Sequence, residues 1–297
     1  MNNLLTIGAE ALRKAALNQE AKDFLLNNQV LYKTLRKAAD RYIGGETLGE
    51  TVTKAIIENN RGFKCSIEFM GENVKTSAEA EEATAEFVRI CQSITNKQLH
   101  STVSLDLSHI GLNISRDLCL ENLDKICKAA GNIEVIISAE GTEQTDNVLN
   151  AYKETSIRHN SLAITLQTYL YRTADDFADL IKLPGRIRVV KGAFATPEGL
   201  SMPRGQQLND AYLGYVDRLL SHGHKCAIAT HEHSPQWENY EFESLYGIQT
   251  QHLVTLKNEG YHTKIYFVYG REWYLYLCNR IAEHPMNLFQ ALADVVG

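Results

Sequence analysis

Arg188 and Lys191 are two cations set in an otherwise apolar run, Ile187-Arg188-Val189-Val190-Lys191-Gly192-Ala193-Phe194. The run reads as a short buried strand. Gly192-Ala193 at its tip lets a ligand approach the backbone. A buried cation needs a counter-charge, and two kinds of partner supply one: neighbouring carboxylates in the sheet, or an anionic cofactor. A second group is His222-Gly223-His224 with Thr230-His231-Glu232-His233. Paired histidines near a strand end suit a metal-dependent hydrolase. However, His222 and His224 precede their strand and fall at its opposite end, and Ser234-Pro235 opens a loop at once. Too few ligands converge for a metal, and a single ligand-contacting His231 is the better reading. A third group lies between Trp273 and Glu283, where Tyr276, Asn279, Arg280 and Glu283 share one helical face. Leu277, Ile281 and Leu288 form an apolar stripe on another face. The polar face is either a solvated Arg–Glu row or a binding surface, and spacing does not choose between them.

These residues need elements to hold them. From Phe63 onward, short apolar runs alternate with helical patterns. The strand candidates are Cys65–Phe69, Thr102–Leu107, Glu134–Ala139, Leu162–Thr168, Ile187–Lys191, Lys225–Ala229, a weak one near Phe242–Tyr246, and Lys264–Val268. Helices are expected at Ala78–Ile94, Leu118–Ala130, Asp146–Ile157, Ala174–Ile181, Gln206–Leu220 and Leu253–Glu259. Eight strands with intervening helices predict an α/β fold, a (β/α)8 barrel of TIM type over residues 61–297, with parallel strands and the last helix over the barrel mouth. An open doubly wound sheet is the alternative, but no GxGxxG follows any strand. Residues 1 to about 60 form a helical N-terminal arm, broken strongly only at Gly44-Gly45. Such an arm packs on its own barrel, joins a homo-oligomer, or lies on a membrane surface.

In a barrel of this kind, chemistry gathers where the strands end. The polar residues there are Glu68 and Glu72, Asp106 and Ser108, Ser138 and Glu140, Gln167 and Tyr169, Arg188 and Lys191, Thr230 to His233, and Tyr266 and Tyr269. The mixture of acids, cations and amides does not name one reaction. The chain has 297 residues, 44% hydrophobic and 22% charged, with net charge -6, which argues against bulk nucleic-acid binding. Its six cysteines (Cys65, Cys91, Cys119, Cys127, Cys226, Cys278) include no CxxC pair and read as reduced, buried thiols of a cytoplasmic protein. Met1-Asn2-Asn3 lacks the basic start of a signal peptide. No apolar run approaches the roughly 18 residues of a membrane span, and peripheral contact with the inner face of a membrane is compatible with both observations.

Six segments, taken in order, carry a resemblance: Phe69-Met70-Gly71-Glu72, Leu166-Gln167-Thr168-Tyr169-Leu170, Arg188-Val189-Val190-Lys191-Gly192-Ala193, Ala229-Thr230-His231, Glu241-Phe242-Glu243-Ser244-Leu245-Tyr246-Gly247-Ile248, and Tyr266-Phe267-Val268-Tyr269-Gly270 with Tyr276-Leu277 and Arg280 and Glu283 beyond it. From about Ile67 to the end, the chain resembles the proline dehydrogenase family, flavoenzymes built on a distorted (β/α)8 barrel. The fifth segment is close to the family's Glu-Phe-Gln-x-Leu-x-Gly-Met. The resemblance implies a non-covalent FAD and removal of a hydride from the carbon beside a ring nitrogen. Arg188 would lie near the flavin N5 region and steady the reduced, anionic ring, and Gln167 would bond the isoalloxazine edge. Val190, Lys191, Gly192 and Ala193 would follow the ribityl-diphosphate, Ala229, Thr230, His231 and Glu283 would complete the cofactor site, and Leu245 would wall the substrate pocket. Arg188, Tyr266 and Tyr276 are the implied catalytic residues, with Arg280, Asn279, Asp106, Ser138, Tyr276 and Leu245 at the substrate. A membrane quinone is the implied electron acceptor.

The chain departs from the family at the place where the substrate carboxylate is clasped by two adjacent arginines and a lysine. Arg280 is kept, but its neighbour is Asn279. Asp106 stands at the lysine position, Ser138 at that of an aspartate accompanying the lysine, and Ala195 where a tryptophan is expected. Each charge-assisted hydrogen bond contributes on the order of 1.5–3 kcal/mol. With two lost and Asp106 repelling a carboxylate, proline binding should weaken at least about 10²-fold. The expected substrate is proline or a proline-like cyclic amine whose acid group is altered, masked or held otherwise.

Overall fold

Parallel strands cannot be joined by tight turns, so each must be followed by a crossover, and the chain supplies helices for that purpose. In a computed structural model describing residues 2–71, 73–229, 239–283 and 287–296, four helices come first: α1 (Asn2–Ala16), α2 (Gln19–Asn27), α3 (Gln29–Ala39) and α4 (Leu48–Asn60). Then β1 (Lys64–Phe69), α5 (Ser77–Asn96), β2 (Ser101–Leu105), α6 (Arg116–Ala130), β3 (Val135–Ile137), α7 (Thr145–Ser156), β4 (Leu162–Gln167), α8 (Thr173–Leu180), β5 (Ile187–Val190), α9 (Gln206–Ser221) and β6 (Cys226–Ile228) alternate. The chain ends with β7 (Tyr240–Leu245), α10 (Thr250–Asn258), β8 (Thr263–Tyr269), α11 (Trp273–Glu283) and α12 (Asn287–Val296). The eight strands close into a barrel in sequence order, with β1 pairing β8 in parallel.

Local sequence explains where the elements begin and end. Thr47 with Glu50, and Thr76 with Glu79, form capping boxes that start α4 and α5. β2 stops at Leu105, two residues before the sequence-based limit, because the chain turns at Asp106 into a 3-10 helix, Leu107–Ile110, that ends on Gly111 at φ 107°. Leu288 belongs to α12 and not to the α11 stripe. Pro285 stands between the two segments, and a proline is not accommodated in a helix interior.

Strand side chains alternate between two environments. One set, including Cys65, Ile67, Val103, Leu105, Val189 and Phe267, forms the main apolar core with the helices. The other set faces the lumen and is largely polar. Arg188 of β5 hydrogen-bonds Ser104 of β2, Ser138 of β3 and Glu243 of β7. A bond between non-adjacent strands of a closed barrel must cross its interior. Below Arg188, Lys264 is fully buried between Glu243 and Glu241, 2.5 Å from each. Glu241 also meets Lys64 at 2.9 Å and Arg186 at 3.6 Å, and Arg186 meets Glu134 at 2.9 Å. The lumen thus holds a chain of alternating charges. Burial alone would raise the Glu241 and Glu243 carboxyls and lower the Lys264 ammonium. The opposite charges around them overcome this, so both acids titrate below the usual carboxylate range and Lys264 above the usual lysine range.

The first three helices join the far end of the chain. α1 and α3 lie against α11, and α3 against α12. Ala16, Ala38, Ala39, Tyr42 and Ile43 share an apolar cluster with Tyr266, Val268, Trp273 and Leu277. The segment after α3 is tied to β8 by the bonds Gly44 N–H to Val268 O, 2.7 Å, and Gly270 N–H to Gly45 O, 3.1 Å.

Two outcomes follow for stability. Lys264→Met strands two buried carboxylates, and urea unfolding should show a loss of about 3–5 kcal/mol, against about 0–1 kcal/mol for Lys125→Met in an exposed pair with Glu121. His109 is buried on Phe69, ring centroids 5.0 Å apart, and burial lowers its imidazole from 6.5 to about 4. Below pH 6.5 the unfolded chain takes up a proton that folded His109 refuses, so this part of the stability is present above 6.5 and lost on descent to about 4. Unfolding free energies from urea titrations at pH 7 and pH 4.5 should differ less for His109→Gln than for the parent, by an amount on the order of 2–3 kcal/mol.

Candidate active site

Because all eight strands run the same way, their C-terminal ends meet at one mouth. Glu68, one residue from the end of β1, is buried there. Its Oε2 accepts hydrogen bonds from the Tyr266 hydroxyl of β8 and from the Ser138 hydroxyl at the end of β3, the latter at 3.0 Å. The two hydroxyls are 3.4 Å apart. Burial first, and then the charge of Glu68, push the Tyr266 phenol well above its ordinary range. Tyr266 is therefore a neutral, firmly held hydrogen-bond donor.

Arg188 lies alongside. Its Nε donates to Thr165 at 2.9 Å, one terminal nitrogen to Ser104 at 3.2 Å and Glu243 at 3.0 Å, and the other to Ser138 at 3.1 Å. The guanidinium also stands 5.1 Å from the centre of the Tyr266 ring. Burial opposes its charge, but Glu243, Tyr266 and Glu68 more than compensate. Arg188 is thus a fixed cation with a carboxylate partner, and it is the residue that links the lumen charges to the mouth.

Helix α11 contributes a second set. Its apolar face packs Leu277 and Ile281 into the cluster that contains Tyr266, with Leu245 and Tyr276 at the margin. Arg280 stands 5.0 Å from the Tyr276 ring centre and pairs with Glu283 at 2.5 Å. The Tyr276 hydroxyl and Arg280 Nε are both buried without a hydrogen-bond partner. Burial, and then Glu283 and Glu68 against the opposing Arg280, raise Tyr276 to about 12, so this hydroxyl also keeps its proton. Asn279 is partly buried beside Arg280. Asp106 is partly buried at the end of β2, where its side chain makes no cap to the 3-10 helix that follows.

The residues expected at a cofactor follow the neighbouring strand ends. Gln167 ends β4, and its amide donates to the Glu140 carbonyl at 2.9 Å, while its Oε1 is buried without a partner. Val190 and Lys191 lie at the tip of β5, and Lys191 donates to Asn209 at 2.8 Å. Gly192 has φ 106°, and a Cβ there would run into the Tyr169 ring. Its carbonyl is held by Arg204. Ala193 is exposed and Ala229 partly buried. Thr230, His231 and His233 lie outside the described residues, as does Glu72. Glu283, expected at the cofactor, is exposed and engaged by Arg280.

A flavin ring presents an edge of carbonyl acceptors around one N–H donor, and its diphosphate is anionic. The unsatisfied Gln167 Oε1 offers the matching acceptor, and Arg188 and Lys191 offer cations. The donor set fits FAD. Two residues gain a role only from the structure. Glu243 is the counter-ion of Arg188, and Glu68 is the point where Tyr266 and Ser138 converge. The alternation of Glu241-Phe242-Glu243 and of Ser66-Ile67-Glu68 put both acids on the lumen side. Nothing in the sequence paired them with their partners.

A family model described as proline dehydrogenase matches residues 52–288. Proline dehydrogenase 2 of Bacillus subtilis (strain 168) is 32% identical over 283 residues, covering 90% of this chain and 93% of that protein. Proline dehydrogenase 1 of the same organism is 31% identical over 296 residues, covering 92% and 97%. Among solved structures, proline utilization A (PutA) from Bdellovibrio bacteriovorus has the same barrel, with a TM-score of 0.79 at 17% identity over 95% of this chain. The chain spans 36% of the length of that protein. The metal-hydrolase reading of the histidines gives way to these relationships. The chain belongs to the proline dehydrogenase family, FAD-dependent oxidoreductases acting on the CH–NH group.

Proposed function

We propose that the enzyme oxidises a proline-like cyclic secondary amine whose carboxylate is masked, replaced or absent, in preference to free L-proline. The observation that carries this reading is the balance of charge at the mouth. Glu68, Asp106 and Glu140 stand at three consecutive strand ends. The two described arginines of the site, Arg188 and Arg280, each already face a carboxylate, Glu243 at 3.0 Å and Glu283 at 2.5 Å. A substrate carboxylate would meet one unsatisfied Arg280 donor and the carboxylates of Glu68, Asp106 and Glu140. An amide, an ester or a cationic ring substituent would not be repelled there, and Asp106 favours the last of these.

FAD would be held by Gln167, Lys191, Gly192 and Arg188 and would supply the hydride acceptor. The chain's own residues do the rest. Leu245 and Tyr276 wall the ring from water, the Tyr276 hydroxyl and Arg280 Nε offer two buried donors to a neutral substituent, and Tyr266 presents its hydroxyl to the ring nitrogen. Arg188 favours negative charge accumulating above it. For the electron acceptor the reading is a membrane quinone, and for the N-terminal arm a contact between copies of the chain. Its support is the exposed apolar side chains of the arm, among them Leu17, Phe24 and Val30.

The competing reading is oxidation of free L-proline with Arg280 alone holding the acid. Anaerobic bleaching of the flavin separates the two. Prolinamide, proline methyl ester or pyrrolidine should reduce the flavin with at least a ~10²-fold advantage in apparent affinity over L-proline. Ordinary affinity for L-proline would sink the altered specificity. Asp106→Lys should shift the preference toward L-proline by about 10-fold to 100-fold, the worth of removing one repulsion and adding one charge-assisted bond, read as the ratio of kcat/KM values.

A further inference from the structure

A secondary ring amine is protonated at neutral pH, since alkylammonium ions titrate near the lysine range, around 10. Its nitrogen then has no lone pair with which to form a C=N bond. Some group at the mouth must take the proton before a hydride can leave the adjacent carbon. The described residues narrow the choice. Tyr266 and Tyr276 hold their own protons, and Arg188 is a permanent cation. Glu140 Oε1 accepts the Ser108 backbone N–H at 3.0 Å and fixes the turn after β2. His109 lies behind Gly71, stacked on Phe69. Glu68 is a buried carboxylate that accepts the Tyr266 hydroxyl and Ser138 on one oxygen. The charge of Glu68 is felt by Arg188, Tyr266 and Tyr276 alike.

We propose that Glu68 is the proton acceptor of the reaction and that the Tyr266 hydroxyl relays the proton to it. The substrate's N–H bond breaks toward the Tyr266 oxygen while the Tyr266 O–H proton passes to Glu68 Oε2, and the bonding electron pair stays on nitrogen. The result is a neutral amine, an intact Tyr266 and a Glu68 carboxylic acid. The nitrogen lone pair then forms the C=N bond as the hydride leaves carbon for the flavin, and Glu68 returns its proton to solvent between turnovers. Ser138 and Arg188 are positioning residues, holding Glu68 and the Tyr266 ring in register. The inference rests on oxidation of a ring amine and holds whichever substituent that ring carries. Among the described residues, Glu68 acts on Arg188 from β5, Tyr266 from β8 and Tyr276 from α11, Arg188 and Tyr276 in turn face Glu243 from β7 and Arg280 from α11, and Asp106 stands at the end of the neighbouring β2.

The test uses the FAD-loaded enzyme with pyrrolidine and prolinamide. In Glu68→Gln the limiting rate of anaerobic flavin reduction should fall about 10²–10⁴-fold at pH 7 and recover as pH rises toward the pKa of the amine, where the neutral form arrives ready-made. A merely structural role would lower the rate equally at every pH, and that result overturns the proposal. A second readout does not depend on turnover. With dithionite-reduced enzyme, which cannot accept a hydride, pyrrolidine binding at neutral pH is followed by infrared difference spectroscopy. The parent should lose a carboxylate band and gain the C=O band of a carboxylic acid, because the proton passes to Glu68, and Glu68→Gln should show neither change. The same difference spectrum in both overturns the assignment. Ser138 Oγ lies 3.4 Å from the Tyr266 hydroxyl, so Glu68→Gln/Ser138→Asp should restore at least about 10-fold of the lost rate at pH 7 by returning a carboxylate to Tyr266. Absence of any restoration in a folded, flavin-loaded double variant also counts against the relay. If the parent's flavin is bleached by neither amine nor by L-proline, the amine reading itself fails, an outcome distinct from all of these.

Discussion

A guanidinium inside a barrel is tolerable only if its charge is answered, because removing an ion from water costs several kcal/mol even after the protein relaxes. Arg188 is answered by Glu243 at 3.0 Å. That pairing alone would quench the cation at the mouth. Lys264 prevents this by taking the other oxygen of Glu243 at 2.5 Å while it also pairs with Glu241. The charge passes on to Lys64, Arg186 and Glu134 at the other end of the strands. Arg188, Lys264, Lys64 and Arg186 outnumber Glu243, Glu241 and Glu134 by one, and the surplus cation stands toward the mouth. Where the family's fifth motif carries a glutamine, this chain carries Glu243, so the lumen here is held by ion pairs to an unusual degree for a barrel interior, which is more often filled by branched apolar side chains.

This arrangement decides what the mouth can do. Arg188 is held by Thr165, Ser104, Ser138 and Glu243, and it stands beside the Tyr266 ring. Ser138 in turn donates to Glu68, which receives Tyr266 as well. The four residues come from four strands and constrain one another. Rigid placement of donors before the reaction is what gives buried electrostatics their catalytic value. The helices of the N-terminal arm serve the same end from outside: they pack against α11 and so hold Tyr276 and Arg280 over β8 and Leu245.

Of the departures that the resemblance implies, Asp106 for a lysine and Asn279 for an arginine lower the positive charge at the substrate, whereas Ser138 for an aspartate removes a negative one. A carboxylate nonetheless remains beside Tyr266, because Glu68 reaches the place from β1. On the proposed roles, the anion next to the reacting nitrogen is therefore present, whereas the cations that would hold a substrate acid are reduced to Arg280. Proton management and substrate recognition would then be carried by different side chains, which allows one to change while the other persists.

Much of this was legible in the sequence. The order of strands and helices followed from apolar runs alternating with amphipathic stretches, and α11 was delimited from Trp273 to Glu283 by its face pattern. The strand-end rule placed Arg188, Gln167, Ser138 and Tyr266 at the mouth, and ordered motifs named the family. Boundaries slipped where a local turn ended pairing early, as at Asp106, and where Leu288 fell into a separate helix. The partners of the lumen charges were not legible. Arg188 is separated from Glu243 by 55 residues and from Ser104 by 84, and Tyr266 is separated from Glu68 by 198. Alternation tells which residues point inward, but only the register of a closed barrel sets which inward residues stand at the same height. Residue type and order were thus fixed by the chain as written, and the pairing of each buried charge was fixed by the way eight strands close on themselves.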